Sequence, residues 1–308
     1  MDKKYLIIGG VIILLIIVLL IPISLASVYL LTSDLSIGDG NIAMISIDEP
    51  LQLNTGPTGP FDTKELSVED YIDALERAEE DSSIKAIILK INCPGGEVIA
   101  SEKLARKVKE VSKKKPVVAY IETIGTSGGY MVVAPATYIV AEKHSIVGSI
   151  GVRMDMLQYY GLMDKLGINA TVIKAGKYKD IGSPYRPMTR EEREYLENMV
   201  NEIYMDFVVW VAENRNMSIN KTLEVADGKI YSGHDAKKVG LVDYVGTEED
   251  AINITMEIAN ISNPEIVEYT PSKLEGFFSL LSNMIYNLGY GIGVGISKNN
   301  KNIGIFNY

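Results

Sequence analysis

The sequence predicts a mixed α/β fold built on a parallel sheet. Residues 86–91 and 117–121 are short, nearly continuous apolar runs, as expected of strands covered on both faces. Residues 98–111, between them, carry apolar side chains at helical spacing, which makes a strand, helix, strand crossover and implies parallel neighbours. The chain has 308 residues, 47% of them apolar, enough to bury a substantial core in one large domain or two modest ones.

The elements follow in order. A first strand is expected over 41–47, and the Gly/Pro-rich stretch 54–60 reads as a loop. Ser67 with Asp70 three positions on opens a helix, the acid sitting at its positive end. Tyr71, Ala74, Leu75 and Ala78 then recur along one face, and the helix ends before Ser83. After the 117–121 strand, 130–135 starts a helix, 138–140 is a short strand, 154–166 a helix and 170–173 a strand. Thr189 with Glu192 forms a capping box that opens a long helix reaching Glu213, with Phe207 and Trp210 on its apolar side. That helix can pack on its own domain or on a neighbouring subunit. Beyond it the tail holds an amphipathic piece at 277–286 and reads as a terminal segment covering the domain.

Composition removes several functions. A net charge of −10 offers no concentrated basic surface for phosphates, so nucleic acid is not an expected partner. The lysine run at 113–115 reads as a solvated loop. The single cysteine, Cys93, excludes an internal disulfide framework, and with only two histidines a Cys/His zinc site is not expected either.

Residues 5–31 carry no charge, and at about 1.5 Å per residue such a run spans a bilayer as a helix. A secretory signal core is about 7 to 15 residues, so a retained anchor is the better reading. Lys3 and Lys4 precede the run while Asp34 and Asp39 follow it, which places the N-terminus in the cytoplasm and the rest of the chain outside. Sequons starting at Asn169, Asn216, Asn220 and Asn253 are compatible with that side.

Two glycine-marked turns follow buried strands: Asn92-Cys93-Pro94-Gly95-Gly96 and Gly125-Thr126-Ser127-Gly128-Gly129. Glycines there permit positive φ and let backbone N–H groups approach a bound anion. Ser127, between glycines at an expected helix start, has the setting of an acyl-transfer nucleophile beside an oxyanion hole, although Gly-x-Ser-x-Gly alone also describes an ordinary turn. Its base is open at this level. Ser127, Asp180 and His234 stand in the chain order of one hydrolase triad, but His144 and His234 both read as surface residues. A lysine base needs a neutral amine, which burial favours, and Lys174, Lys177 and Lys179 follow the expected 170–173 strand.

The two turns, together with Gly148-Ser149-Ile150-Gly151-Val152, the segment 177–184, Ala226-Asp227-Gly228-Lys229-Ile230-Tyr231-Ser232-Gly233 and Gly240-Leu241-Val242-Asp243, resemble the signal peptide peptidase, or protease IV, family of serine proteases. The likeness runs over 41–251 and includes the anchor before it. It implies a Clp/crotonase-like α/β fold with repeated ββα units, preceded by one transmembrane helix. It also implies a Ser/Lys dyad of Ser127 as nucleophile and Lys179 as general base, an oxyanion hole from the N–H groups of Gly96 and Gly128, and Ser149 orienting the lysine amine. No metal, nucleotide or organic cofactor is implied. Where the family usually has serine before Pro-Gly-Gly, this chain has Cys93, a departure expected to leave the glycine loop intact while altering the pocket or its redox sensitivity.

The expected organisation is a cytoplasmic N-terminus and anchor over 1–32, a linker over 33–40, a protease domain over 41–262 and a tail over 263–308. The implied substrates are cleaved signal peptides or other hydrophobic peptides at the membrane, and the implied assembly is a homo-oligomer. Alternatives are a protease of the same class that trims a stomatin-like partner, a crotonase-type acyl-CoA enzyme, and an inactive scaffold.

Overall fold

A computed structural model describes residues 40–54 and 66–270. The expected anchor, most of the linker, most of the 54–60 loop and the 277–286 segment lie outside the described residues. Among those residues, no helix is long and apolar enough to cross a membrane.

The first strand, β1 (Ile42–Ile47), alternates its side chains between two apolar clusters: Ala43, Ile45 and Ile47 face one, Ile42 and Met44 the other. That period of two on both faces is why the run contains almost no polar residue. Helix α1 (Val68–Glu80) starts at Ser67, whose hydroxyl accepts the Asp70 N–H while the Asp70 carboxylate accepts the Ser67 N–H. Val68, Tyr71, Ala74, Leu75 and Ala78 are buried against the first cluster, each large side chain contributing about 1.5–3 kcal/mol.

β2 (Ala86–Cys93), α2 (Val98–Val111) and β3 (Val117–Thr126) make the expected crossover, and β1, β2 and β3 are parallel neighbours. β3 runs five residues past the apolar stretch seen in the sequence, and its second half positions the site. Ile91 pairs with Ile121 but Cys93 with Gly125, so two steps on β2 span four on β3. An irregularity of that kind bends the strand. Before it, β3 pairs with β4 (Tyr138–Ala141); after it, with β5 (Ile146–Gly148).

Helix α3 (Gly128–Val133) leaves the end of β3 and is wholly buried. The expected helix over 154–166 is reduced to α4 (Tyr160–Lys165), and 170–173 is not a strand. Both lie on an arm, residues 153–179, whose side chains are nearly all exposed, so the apolar residues there have no sheet to join. The long helix α5 (Arg190–Asn214) has the expected Thr189/Glu192 capping box. Phe207 is buried and the Trp210 indole N–H donates to the Met131 carbonyl at 2.9 Å, which ties α5 to α3 of its own chain.

Helix α6 (Ile219–Val225) precedes β6 (Ile230–Ser232), which pairs antiparallel with β5. α7 (Gly233–Lys238) follows, capped by Ser232, then β7 (Tyr244–Val245) beside β4. Helix α8 (Glu248–Ala259) covers the second apolar cluster through Ala251. β8 (Ile266–Glu268) pairs with β1, so the sheet continues beyond residue 262.

Candidate active site

Ser127 is the last residue before α3 and adopts φ 53, ψ −123, a conformation that L residues rarely hold. Its N–H donates to the Gly148 carbonyl at 2.8 Å, which locks the turn onto the end of β5. One residue beyond Gly148, Ser149 also has positive φ, 51°, and its N–H donates to the Lys229 carbonyl at 2.8 Å. Of four non-glycine residues with positive φ among the described residues, two are therefore these neighbouring serines. The other two, Asn216 and Asn260, are of the type that tolerates that region.

The glycines of the two turns are dictated by contact. A Cβ on Gly96 would fall 2.1 Å from the Leu51 carbonyl oxygen, and one on Gly128 would fall 2.0 Å from Ser101 Oγ. The same construction on Gly128 lies 3.3 Å from the Gly96 nitrogen, so the two turns bring these backbone positions side by side. The N–H of Gly128 is at the first position of a helix, where no intrahelical partner exists, and the Gly96 N–H makes no turn or loop hydrogen bond among the described residues. The bridge to Leu51 uses the flanking groups instead, Gly95 O and Glu97 N–H.

These groups open onto a cavity of about 870 Å³. Ser127, Gly96, Gly128 and Ser149 all line it, Val98, Met131 and Phe207 form an apolar wall, and Arg153, Asp155 and Asp227 supply charge at its margin. A half-buried hydroxyl beside two uncommitted N–H donors and an apolar wall can seat an acyl group and stabilise an oxyanion.

Lys179 does not line this cavity. It is exposed, on a turn in which its N–H donates to the Gly176 carbonyl at 3.3 Å. The chain by itself therefore brings four of the five expected site residues together and leaves the fifth outside, because the buried strand expected to deliver it does not form. The Ser127, Asp180, His234 triad is not assembled either. His234 is exposed on α7, at the end of β5 opposite to Ser127, and Asp180 is held by Arg186 and Lys174. His144 is exposed as well.

Cys93 does not reach the cavity. It is buried in the main core, its Sγ 3.4 Å from the Gly95 nitrogen, and burial pushes its thiol up to about 11, a protonated and unreactive state. The expected effect on the pocket is thus confined to supporting the Gly95 turn from beneath. The α5 wall was not foreseen, since Phe207 lies far along the chain from either turn. Ser149 left a signal in its glycine spacing, Gly148 and Gly151 on either side.

Comparison with known proteins identifies the family. The profile of Peptidase family S49 matches residues 109–262. A candidate protease of Methanocaldococcus jannaschii is 65% identical over 78% of this chain and 76% of its own length. A candidate signal peptide peptidase SppA of Enterococcus faecium is 32% identical over 75% of this chain and 68% of its own. The chloroplastic serine protease SPPA of Arabidopsis thaliana is 36% identical over 66% of this chain and 30% of its own. By this match and these relatives, the chain belongs to peptidase family S49 and is a serine peptidase of the SppA, or protease 4, type.

Proposed function

We propose that this protein is a membrane-anchored endopeptidase of Clp/crotonase-like fold in which Ser127 attacks the peptide carbonyl and Lys179 of a second copy acts as general base. The observation that carries this reading is Ser127 itself, held at positive φ at the mouth of an apolar-walled cavity, beside the N–H groups of Gly96 and Gly128. Backbone strain at a half-buried hydroxyl that opens onto a cavity is a feature of activated nucleophiles.

Lys179 is assigned to a neighbouring copy for two reasons. It is the chemically suitable lysine of the family-like segment, yet it does not line its own chain's cavity. The arm that leads to it exposes Leu157 at 81% and Ile173 at 96%, a density of bare apolar side chains that suits burial against another subunit. An amine covered in this way loses water, which favours its neutral form.

The chemistry then balances with the chain's own groups. The Ser127 proton passes to the Lys179 amine as Oγ bonds to the carbonyl carbon, and the carbonyl electrons move to the oxygen facing Gly96 and Gly128. Collapse of this intermediate breaks the C–N bond, and the ammonium returns its proton to the leaving amine. Water, deprotonated by the same amine, releases the acyl group as a carboxylic acid, and Ser127 regains its proton. Ser149, beside Ser127 on the end of β5, orients the amine by a hydrogen bond. Val98, Met131 and Phe207 select apolar side chains. With residues 5–31 in the bilayer and the catalytic domain outside, the substrates are hydrophobic peptides, cleaved signal peptides among them.

The test uses the full chain on a hydrophobic peptide. Ser127→Ala and Lys179→Ala are each expected to be inactive. Mixing the two before assembly is expected to restore roughly a quarter of wild-type activity, because one site in four then pairs an intact serine with an intact lysine across a head-to-tail interface. Full activity of Lys179→Ala removes the dyad, and a mixture that stays inactive removes its division between copies.

A further inference from the structure

The turn that carries Lys179 is irregular and exposed, yet the residue that follows it is not. The Asp180 side chain is only 12% exposed and is gripped from two sides. Arg186 Nε donates to Asp180 Oδ2 at 2.9 Å and Arg186 Nη2 to Oδ1 at 2.9 Å, a two-point fork. The same guanidinium donates to the Asp180 main-chain carbonyl at 3.2 Å. Lys174 Nζ also reaches Asp180 Oδ1.

The other edge of the guanidinium is anchored to α5. Arg186 Nη1 donates to Glu192 Oε2 at 2.8 Å and Nη2 to Oε1 at 2.5 Å. Glu192, whose side chain is 5% exposed, is the acid of the Thr189 capping box and accepts the Thr189 N–H at 2.9 Å. One planar cation thus ties both the carboxylate and the backbone of Asp180 to the first turn of the longest helix described. A second tie, from Lys177 and Tyr178 to Glu191, is exposed and screened by solvent. A fork that fixes plane and distance is a device for geometry more than for stability, and lysine cannot reproduce it.

We propose that Arg186 is a positioning residue for the reaction: it clamps Asp180 to the start of α5 so that the adjacent Lys179 amine is presented in one fixed place to the Ser127 hydroxyl. This rests on the Ser127/Lys179 dyad. Misplacing a reacting group by an ångström lowers turnover while leaving the binding of substrate nearly intact, because the cavity wall is made by α2, α3 and the part of α5 around Phe207, well along the helix from its clamped first turn.

The experiment measures kcat and KM of the full chain on a hydrophobic peptide for wild type, Arg186→Ala, Arg186→Lys and Lys179→Ala, with native mass and thermal midpoint recorded for each. Arg186→Ala is expected to lose about tenfold or more in kcat at nearly constant KM, and Arg186→Lys to remain low. Millimolar guanidinium, too dilute to denature, is expected to restore part of the Arg186→Ala rate, whereas methylammonium, which has no fork, is not. An inactive Lys179→Ala enzyme beside a fully active Arg186→Ala enzyme overturns the role of Arg186 alone; an active Lys179→Ala enzyme overturns the dyad. Equal rescue by both cations also overturns the proposal. Should Arg186→Ala fail to assemble, Asp180→Asn must show the same fall in kcat, and an unchanged kcat there counts against it.

Discussion

Ser127 is where the chain departs most from its own backbone preferences. A serine at φ 53 costs on the order of 1–3 kcal/mol, and the hydrogen bond from its N–H to Gly148 helps to hold it there. Replacing it by glycine, which visits that region freely, is expected to raise stability by about 1 kcal/mol while abolishing hydrolysis. Denaturant titration of Ser127→Gly against wild type measures this, and a destabilised variant contradicts it. At this scale the sequence was partly informative: glycines on both sides of Ser127 marked a turn that could seat a nucleophile, whereas Ser149 entered only through the family resemblance. Lys179 was not legible in the same way. Three lysines crowd the segment, and nothing local distinguishes one amine from another.

Among the elements, the start of α5 has a chemical signature in its response to acid. Glu192 is held down to about 2 from its ordinary 4.5, first by the Arg186 guanidinium and then by the Thr189 N–H. Asp81, beyond the end of α1, is likewise lowered to about 2, by the Ser83 hydroxyl and then the Tyr269 hydroxyl. Groups depressed on folding contribute stability that is complete above their unfolded values and is lost as pH falls towards their folded ones. The thermal midpoint is therefore expected to change little with these groups above about pH 5 and to fall between about pH 4.5 and 2. Glu192→Gln should make that fall shallower, and an unaltered slope would deny the Arg186 contact its part. Elements announced by a cap and a periodic face, such as α1 and α5, could be read directly from Ser67 and Thr189. Residues 170–173 misled because four adjacent residues rich in β-branched side chains look the same whether their cover is a sheet or another molecule. The three-residue strands β6 and β8 are too short for any periodicity to emerge; only their partners β5 and β1 define them.

At the scale of the whole molecule, the sheet and its two apolar clusters make a self-sufficient body, while the arm over 153–179 does not close on it. Association through this arm is expected, with Leu157→Glu or Ile173→Asp lowering the native mass and the peptidase activity together while the thermal midpoint of the body stays close to wild type. Native mass spectrometry and a peptide assay on the same samples decide it, and a variant that dissociates yet keeps its activity would separate catalysis from assembly. The parallel core was foreseeable from 86–91 and 117–121, since strands buried on two faces leave uninterrupted apolar runs. The bend in β3 was not, because a change of neighbours in mid-strand depends on β4 and β5, which lie later in the chain.

The position of Lys179, outside the cavity that its own chain builds, carries a consequence for control. With nucleophile and base divided between copies as proposed, the enzyme forms only on encounter, and a single chain in dilute solution is inert. Under that proposal, crowding itself is the signal that switches the enzyme on.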